Sequence, residues 1–94
     1  MPIRSFKDRR SPVLFDGLCP KGFPPDLVRV ARRKLRALDA AVAVRDLTEP
    51  PGNRLEKLKG DRAGQWSIRV NDQWRICFVL TDDGAHDVEV VDYH

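Results

Sequence analysis

At Gly64 the spacing of apolar residues along the chain changes, and that change limits the folds open to it. Upstream, Leu27, Val30, Ala31, Leu35, Leu38, Ala41 and Val42 recur at helical intervals. Downstream the period is two: Trp66, Ile68 and Val70 alternate with Ser67 and Arg69, then Trp74, Ile76, Phe78 and Leu80 alternate with Arg75, Cys77 and Val79. A helical pattern followed by successive alternating runs predicts helices packed on one face of an antiparallel sheet, an α+β architecture. Ninety-four residues suffice for a single domain, 1–94, with one modest core.

The remaining punctuation supplies the element order. Ile3-Arg4-Ser5-Phe6 is short and extended in character and predicts an N-terminal strand. Ser11-Pro12 reads as a hydroxyl cap with proline at the first helical position, and Gly17 as the stop of that single turn. Pro24-Pro25-Asp26 opens the main helix, expected from about Asp26 to about Val44. Arg29, Arg32, Arg33 and Arg36 fall on the face opposite its apolar stripe, while Lys34 falls within the stripe and is expected to snorkel along its edge. Asp46 to Lys59 lacks periodicity and holds the loop signal Pro50-Pro51-Gly52-Asn53. Two turns, Asn71-Asp72-Gln73 and Thr81-Asp82-Asp83-Gly84, separate the last three strands, the third running from His86 to Asp92.

The alternation also predicts a register. Both apolar sets must face one core, so the hairpin needs a three-residue loop that opposes Val70 with Trp74, Ile68 with Ile76 and Trp66 with Phe78. The same register opposes Arg69 with Arg75 on the other face and sets Ser67 beside Cys77. Like charges directly across a strand pair cost a few tenths of a kcal/mol up to about 1. Two readings follow: the arginines splay into water or are neutralised by Glu89, or they wait for an anion such as phosphate.

Composition narrows the function classes. Net charge is +3, and twelve of the seventeen basic residues are arginine, which binds phosphate through planar, bidentate contacts. A mild excess of this kind is also the ordinary charge of a soluble domain. No apolar run approaches twenty residues and the opening has no leader pattern, so a cytoplasmic location with no membrane partner is expected. Cys19 and Cys77 lack metal-ligand spacing, and neither His86 nor His94 has a neighbouring Cys or His. No metal and no cofactor are therefore expected, and Cys77 should pack as a small hydrophobe.

The chain closes on Asp92-Tyr93-His94, a carboxylate, a phenol and an imidazole directly after an alternating apolar run. Chain ends usually fray and carry nothing. Here the register sets Glu89, Val91 and Tyr93 on the arginine face if Val88 and Val90 share the core. The basic stretch Arg54 to Arg62 precedes the first strand of the meander and is expected to border the same region. The side chains form a candidate phosphodiester site, in which Arg75 would balance charge on phosphorus, Tyr93 or His94 would move protons, and Asp92 would orient a neighbour.

The run Pro51-Gly52-Asn53-Arg54-Leu55-Glu56-Lys57-Leu58-Lys59-Gly60-Asp61-Arg62-Ala63-Gly64-Gln65-Trp66-Ser67-Ile68-Arg69-Val70, followed by Trp74-Arg75-Ile76-Cys77-Phe78 and the terminal Asp92-Tyr93-His94, resembles the HigB-like branch of the RelE toxin superfamily. The opening Ile3-Arg4-Ser5-Phe6-Lys7 is similar as well. The resemblance implies a microbial-ribonuclease-like fold and the toxin of a bacterial type II toxin–antitoxin pair. Such a toxin enters the ribosome and cleaves mRNA there without a metal, the RNA's 2′-hydroxyl attacking the adjacent phosphate. It also implies a helix-turn-helix antitoxin partner, with operator DNA reached only through the complex of the two.

On this resemblance Arg75, Asp92, Tyr93 and His94 are candidate catalytic residues. Arg54, Lys57, Lys59, Arg62 and Arg69 are candidate RNA contacts. Some members of the branch carry histidine where this chain has Glu56, so Glu56 is either a general base in the same site or a solvated loop acid. The alternatives to an endoribonuclease are a non-catalytic RNA- or ribosome-binding module and a regulatory protein whose basic helix face docks an acidic chain.

Overall fold

The computed structural model describes residues 1–93. Two helices, α1 (Arg10–Phe15) and α2 (Val28–Ala40), pack on one face of a four-stranded antiparallel sheet in the order β1-β2-β3-β4. The strands are β1 (Glu56–Lys57), β2 (Gln65–Arg69), β3 (Trp74–Thr81) and β4 (Gly84–Asp92). Leu14 from α1, with Ala31, Leu35 and Leu38 from α2, meets Ile68, Ile76, Phe78, Val88 and Val90 of the sheet in one core. Full burial of a side chain of this size stabilises the fold by about 1.5–3 kcal/mol. The expected α+β plan and hairpin register are both present, with Ile68 across from Ile76 and Trp66 across from Phe78. Asn71 closes the three-residue loop, its Oδ1 accepting the N–H groups of Gln73 and Trp74.

Four local expectations are corrected. The main helix begins as a 3₁₀ turn at Pro25–Leu27 and stops at Ala40, short of Val44. Asp46 captures the N–H groups of Val42 and Ala43 with one carboxylate oxygen, and the Met1 ammonium donates to the Ala41 carbonyl. These partners displace the helical bonds, so Val42 leaves the stripe and is 88% exposed. Helix α1 starts two residues early, and Asp8 rather than Ser11 accepts an N–H of its first turn. Ser11 is instead fully buried, and its hydroxyl accepts the Val90 N–H.

The sheet has four strands rather than three, because Glu56 and Lys57, expected in a loop, pair with Ser67 and Trp66. The N-terminal segment is no continuous strand. It touches β4 through isolated parallel bridges, Ile3 to Ala85 and Phe6 to Val88. Both this segment and α1 cover the outer edge of β4: Arg4 and Lys7 donate backbone N–H groups to Ala85 and Val88, and the Arg10 guanidinium donates to the Val90 carbonyl. An edge whose polar groups are met in this way cannot recruit a foreign strand.

A bulge in β4 adjusts the last strand. Cys77 faces Glu89 and Val79 faces His86, so Phe78 alone spans Asp87 and Val88, with Asp87 at φ 53°. The extra residue lets Ala85 and Val88, three apart, both face the core.

Candidate functional site

On the sheet face turned away from the helices, Arg75 of β3 stands directly across from Arg69 of β2 and Val91 of β4. Its side chain is only 12% exposed. The Nε–H donates to Ser67 Oγ at 2.8 Å, and Nη2 donates to the Arg54 carbonyl at 2.8 Å and, at greater length, to the Ser67 carbonyl at 3.5 Å. Glu56 Oε1 lies 3.6 Å from the same nitrogen. Three neutral acceptors and one half-exposed carboxylate thus aim a guanidinium that, among the described residues, no buried acid neutralises.

The Arg54 carbonyl reaches Arg75 because the chain turns sharply there. A 3₁₀ turn at Pro51–Asn53 delivers Arg54 in the left-handed region, φ 44° and ψ 55°. For a residue other than glycine this costs roughly 1–2 kcal/mol. Asn53 holds the turn from inside, its buried amide donating to the carbonyls of Leu47 at 3.1 Å and Glu49 at 3.2 Å. The same turn carries the backbone away from β2, so β1 ends before it can pair with Arg69.

Lys34 takes the place of the missing strand partner. It is buried at 7% exposure, and its ammonium donates to the Arg69 carbonyl at 2.5 Å. The expected snorkelling to solvent does not occur. Burial, and then the charges of Arg33, Arg69 and Arg75, lower the Lys34 pKa. The Arg69 side chain turns to the hairpin loop and pairs with Asp72 at 2.6 Å, a hydrogen bond that holds the Asp72 pKa down.

Glu89 neutralises neither member of the Arg69–Arg75 pair, which corrects one sequence expectation. It lies a row away, across from Cys77, and binds Arg62 at 3.0 Å and Lys7 at 3.7 Å. The hydrogen bond from Arg62 to Glu89 raises the Arg62 pKa, with smaller contributions from neighbours that include Tyr93. Cys77 is buried in this row, and burial raises its thiol pKa.

The structure therefore brings together Arg54, Glu56, Arg69 and Arg75, with Arg62 one row along. Tyr93 follows β4 on the same face, its N–H donating to the Gln73 carbonyl at 2.8 Å. Asp92 does not join them: it pairs with Trp74, whose side chain enters the core, and its Oδ2 accepts from Gln73 Nε2 at 2.9 Å. Lys57 also turns the other way, with its ammonium 5.7 Å from the Trp66 ring centre. Lys59 is exposed just before the 3₁₀ turn Gly60–Arg62. His94 lies outside the described residues. Ser67 and Lys34 escaped the sequence reading as site residues. The register already placed Ser67 beside Cys77 and one step from Arg75, which was its only signal.

Residues 4–94 match the family described as RelE-like toxin of type II toxin–antitoxin system HigB. The chain belongs to this HigB-like toxin family. It is similar to the endoribonuclease HigB of Proteus vulgaris, with 36% identity over 92 residues that cover 98% of this chain and 99% of that protein. It is also similar to toxin HigB-1 of Vibrio cholerae, 49% identical over 62 residues, which cover 66% of this chain and 65% of that one. In fold the toxin resembles a chain of the YoeB–YefM complex from Staphylococcus aureus, with a TM-score of 0.61 at 17% identity over 100% of this chain and 99% of that chain.

In this toxin the cationic face is organised before any ligand arrives. The Arg75 head is fixed by Ser67 and the Arg54 carbonyl. Its carboxylate neighbour, Glu56, is half-exposed at 3.6 Å. Such preorganised donors stabilise charge without reorganising as it develops.

Proposed function

We propose that this toxin is a metal-independent endoribonuclease that cleaves mRNA on the ribosome in the cytoplasm, halts translation, and is neutralised by a helix-turn-helix antitoxin. The observation that carries this reading is the Arg75 cradle: a guanidinium held by Ser67 and the Arg54 carbonyl beside Arg69, with Glu56 at 3.6 Å. The endoribonuclease activity named for the Proteus vulgaris relative supports it.

The RNA's 2′-hydroxyl attacks the adjacent phosphorus. The 2′-oxygen–phosphorus bond forms, the bond to the 5′-oxygen breaks, and the products are a 2′,3′-cyclic phosphate and a 5′-hydroxyl. Glu56 takes the proton from the 2′-hydroxyl, and the 5′-oxygen receives one from Tyr93 or His94. Arg75 stabilises the negative charge that builds on the phosphate oxygens, a contribution worth about 10²–10³ in rate for one well-placed donor. Arg54 and Arg69 hold the strand on either side, while Lys59 and Arg62 extend the basic track. Asp92, on the other side of the strand, orients the end of β4 through Gln73.

The test adds the purified toxin to translating ribosomes and maps transcript ends. Cleavage inside translated messages is expected, with Arg75→Ala reducing its rate by at least about 10² while the fold persists. Intact transcripts on ribosomes that still bind the toxin would sink this reading and leave a binding module in its place.

A further inference from the structure

We propose that Lys34 is a positioning residue for the Arg75 cradle: by taking the Arg69 carbonyl it keeps Arg54 out of the sheet, and so keeps the Arg54 carbonyl on the Arg75 guanidinium. The inference deepens the endoribonuclease reading and rests on it for its effect on rate. It names a residue that sets the geometry of the site from behind the sheet, without touching RNA.

The strand ladder defines what Lys34 replaces. Val70 donates its N–H to the Trp74 carbonyl across the hairpin, so the backbone polar groups of Arg69, one residue earlier, point the other way, toward the line of β1. β1 pairs Lys57 with Trp66 and Glu56 with Ser67. Two residues further on, the same register would set Arg54 opposite Arg69. Such a rung would join the Arg54 N–H to the Arg69 carbonyl and the Arg54 carbonyl to the Arg69 N–H. Neither group of Arg54 is used in that way. Its N–H donates to the Pro51 carbonyl at 3.1 Å, and its carbonyl accepts from Arg75 Nη2 at 2.8 Å.

Two conformations of Arg54 therefore compete. The extended one lengthens β1 and relaxes the backbone. The left-handed one, at φ 44°, is disfavoured for a residue with a Cβ, yet it alone holds Arg75. It would also leave the Arg69 carbonyl unpaired, a loss that buried acceptors rarely bear. Lys34 removes that loss. It is 7% exposed, and its ammonium donates to the Arg69 carbonyl at 2.5 Å. Among the described residues it forms no ion pair, so a backbone acceptor is what matches its burial. Lys34 also lines a crevice between α2 and the loop together with Glu49, Pro50 and Asn53, the segment that leads into the Arg54 turn. One side chain thus meets both the carbonyl that Arg54 vacates and the loop that carries Arg54 away.

The test measures single-turnover cleavage on translating ribosomes by wild type, Lys34→Met, Lys34→Arg, Arg75→Ala and the double variant Lys34→Met with Arg75→Ala. Lys34→Met should lower the rate at least about tenfold, as expected for one lost hydrogen bond to a charged group, with ribosome affinity within about twofold of wild type. Lys34→Arg keeps a charged donor and should recover most of the loss. In the Arg75→Ala background, Lys34→Met should change the rate by less than about twofold, because no guanidinium is left to misplace. An equal loss with and without Arg75 would overturn the proposal, since a merely structural or long-range electrostatic role predicts it. Lys34→Gln, a donor one bond shorter that withholds the direct contact, takes the same comparison should Lys34→Met fail to fold. A second readout needs no cleavage: nitrogen NMR of the Arg75 guanidinium in the free toxin. Its Nη signals should be resolved in wild type and Lys34→Arg, and averaged by rotation in Lys34→Met. Unchanged signals in Lys34→Met would overturn the proposal. The expected signals from a toxin that leaves transcripts intact would refute the proposed activity and uphold the role of Lys34 in holding Arg75.

Discussion

At the scale of single residues, the site is built from side chains that position one another. Arg75 depends on Ser67 for the bearing of its Nε and on the Arg54 carbonyl for its Nη2. Ser67→Ala should therefore lower the cleavage rate by roughly tenfold with little change in substrate affinity, because one hydrogen bond to a charged group is worth about 1.5–3 kcal/mol and the second anchor remains. Single-turnover kinetics separates the two effects, and a variant that loses affinity at an unchanged rate would contradict the assignment.

Lys34 is the other residue whose environment predicts a measurement. Its folded pKa is lowered by burial, so the unfolded chain binds the proton more tightly than the folded one. That group's stabilising share is thus least at neutral pH and grows as pH rises through its folded pKa toward 10.5. Denaturation curves of wild type minus Lys34→Met, taken from pH 7 to 10.5, should slope upward over that interval. A flat difference would mean that the lysine is not buried in solution.

At the scale of elements, boundaries follow captured backbone groups more than propensity. Asp46 ends α2 by accepting from Val42 and Ala43, and these two hydrogen bonds, Ala43 first, lower its pKa. With the folded pKa depressed, the stabilisation is present in full above 3.8 and is lost as pH falls through the lowered folded value. Asp46→Ala should accordingly lower the melting temperature at pH 7, and the difference from wild type should shrink in strong acid.

Gly84 sets a second boundary, between β3 and β4. Its φ is +142°, and a Cβ there would lie 2.2 Å from the Pro2 carbonyl oxygen. Gly84→Ala should cost at least about 2 kcal/mol through backbone strain and displacement of the N-terminal segment. Urea denaturation measures it, and a change below a few tenths would show that the segment does not hold this edge.

At the scale of the whole molecule, one sheet separates two basic surfaces. The helices cover one face and present the arginine strip outward, while the other face gathers Arg54, Arg69 and Arg75 at the loop end of the β2–β3 hairpin. Single-stranded RNA bound by the second face should show affinity falling with salt, with a log–log slope that changes by about 0.7 for each phosphate contact removed. Arg54→Ala should reduce that slope by roughly this amount, whereas Arg29→Glu with Arg33→Glu should leave it unaltered. Fluorescence anisotropy over a salt series decides between the two surfaces. Equal slopes for wild type and Arg54→Ala would remove Arg54 from the RNA track.

The linear order of residues determined the α+β plan, the hairpin register and the pairing of Arg69 with Arg75, because period-two and period-3.6 burial are local properties that a core must respect. It also carried the family pattern from Pro51 to Phe78. What it left open depended on contacts between residues far apart in the chain. Glu56 became a strand residue only because Ser67 lay beside it, and Glu89 left the arginine pair for Arg62 and Lys7 because the register sets it across from Cys77, a row away. The β3–β4 register, a pairing between strands, set Asp92 across from Trp74 and Val91 across from Arg75. Lys34 reached Arg69 across 35 residues because the Arg54 turn left a carbonyl unpaired, and a buried acceptor takes whatever donor the packed chain brings to it.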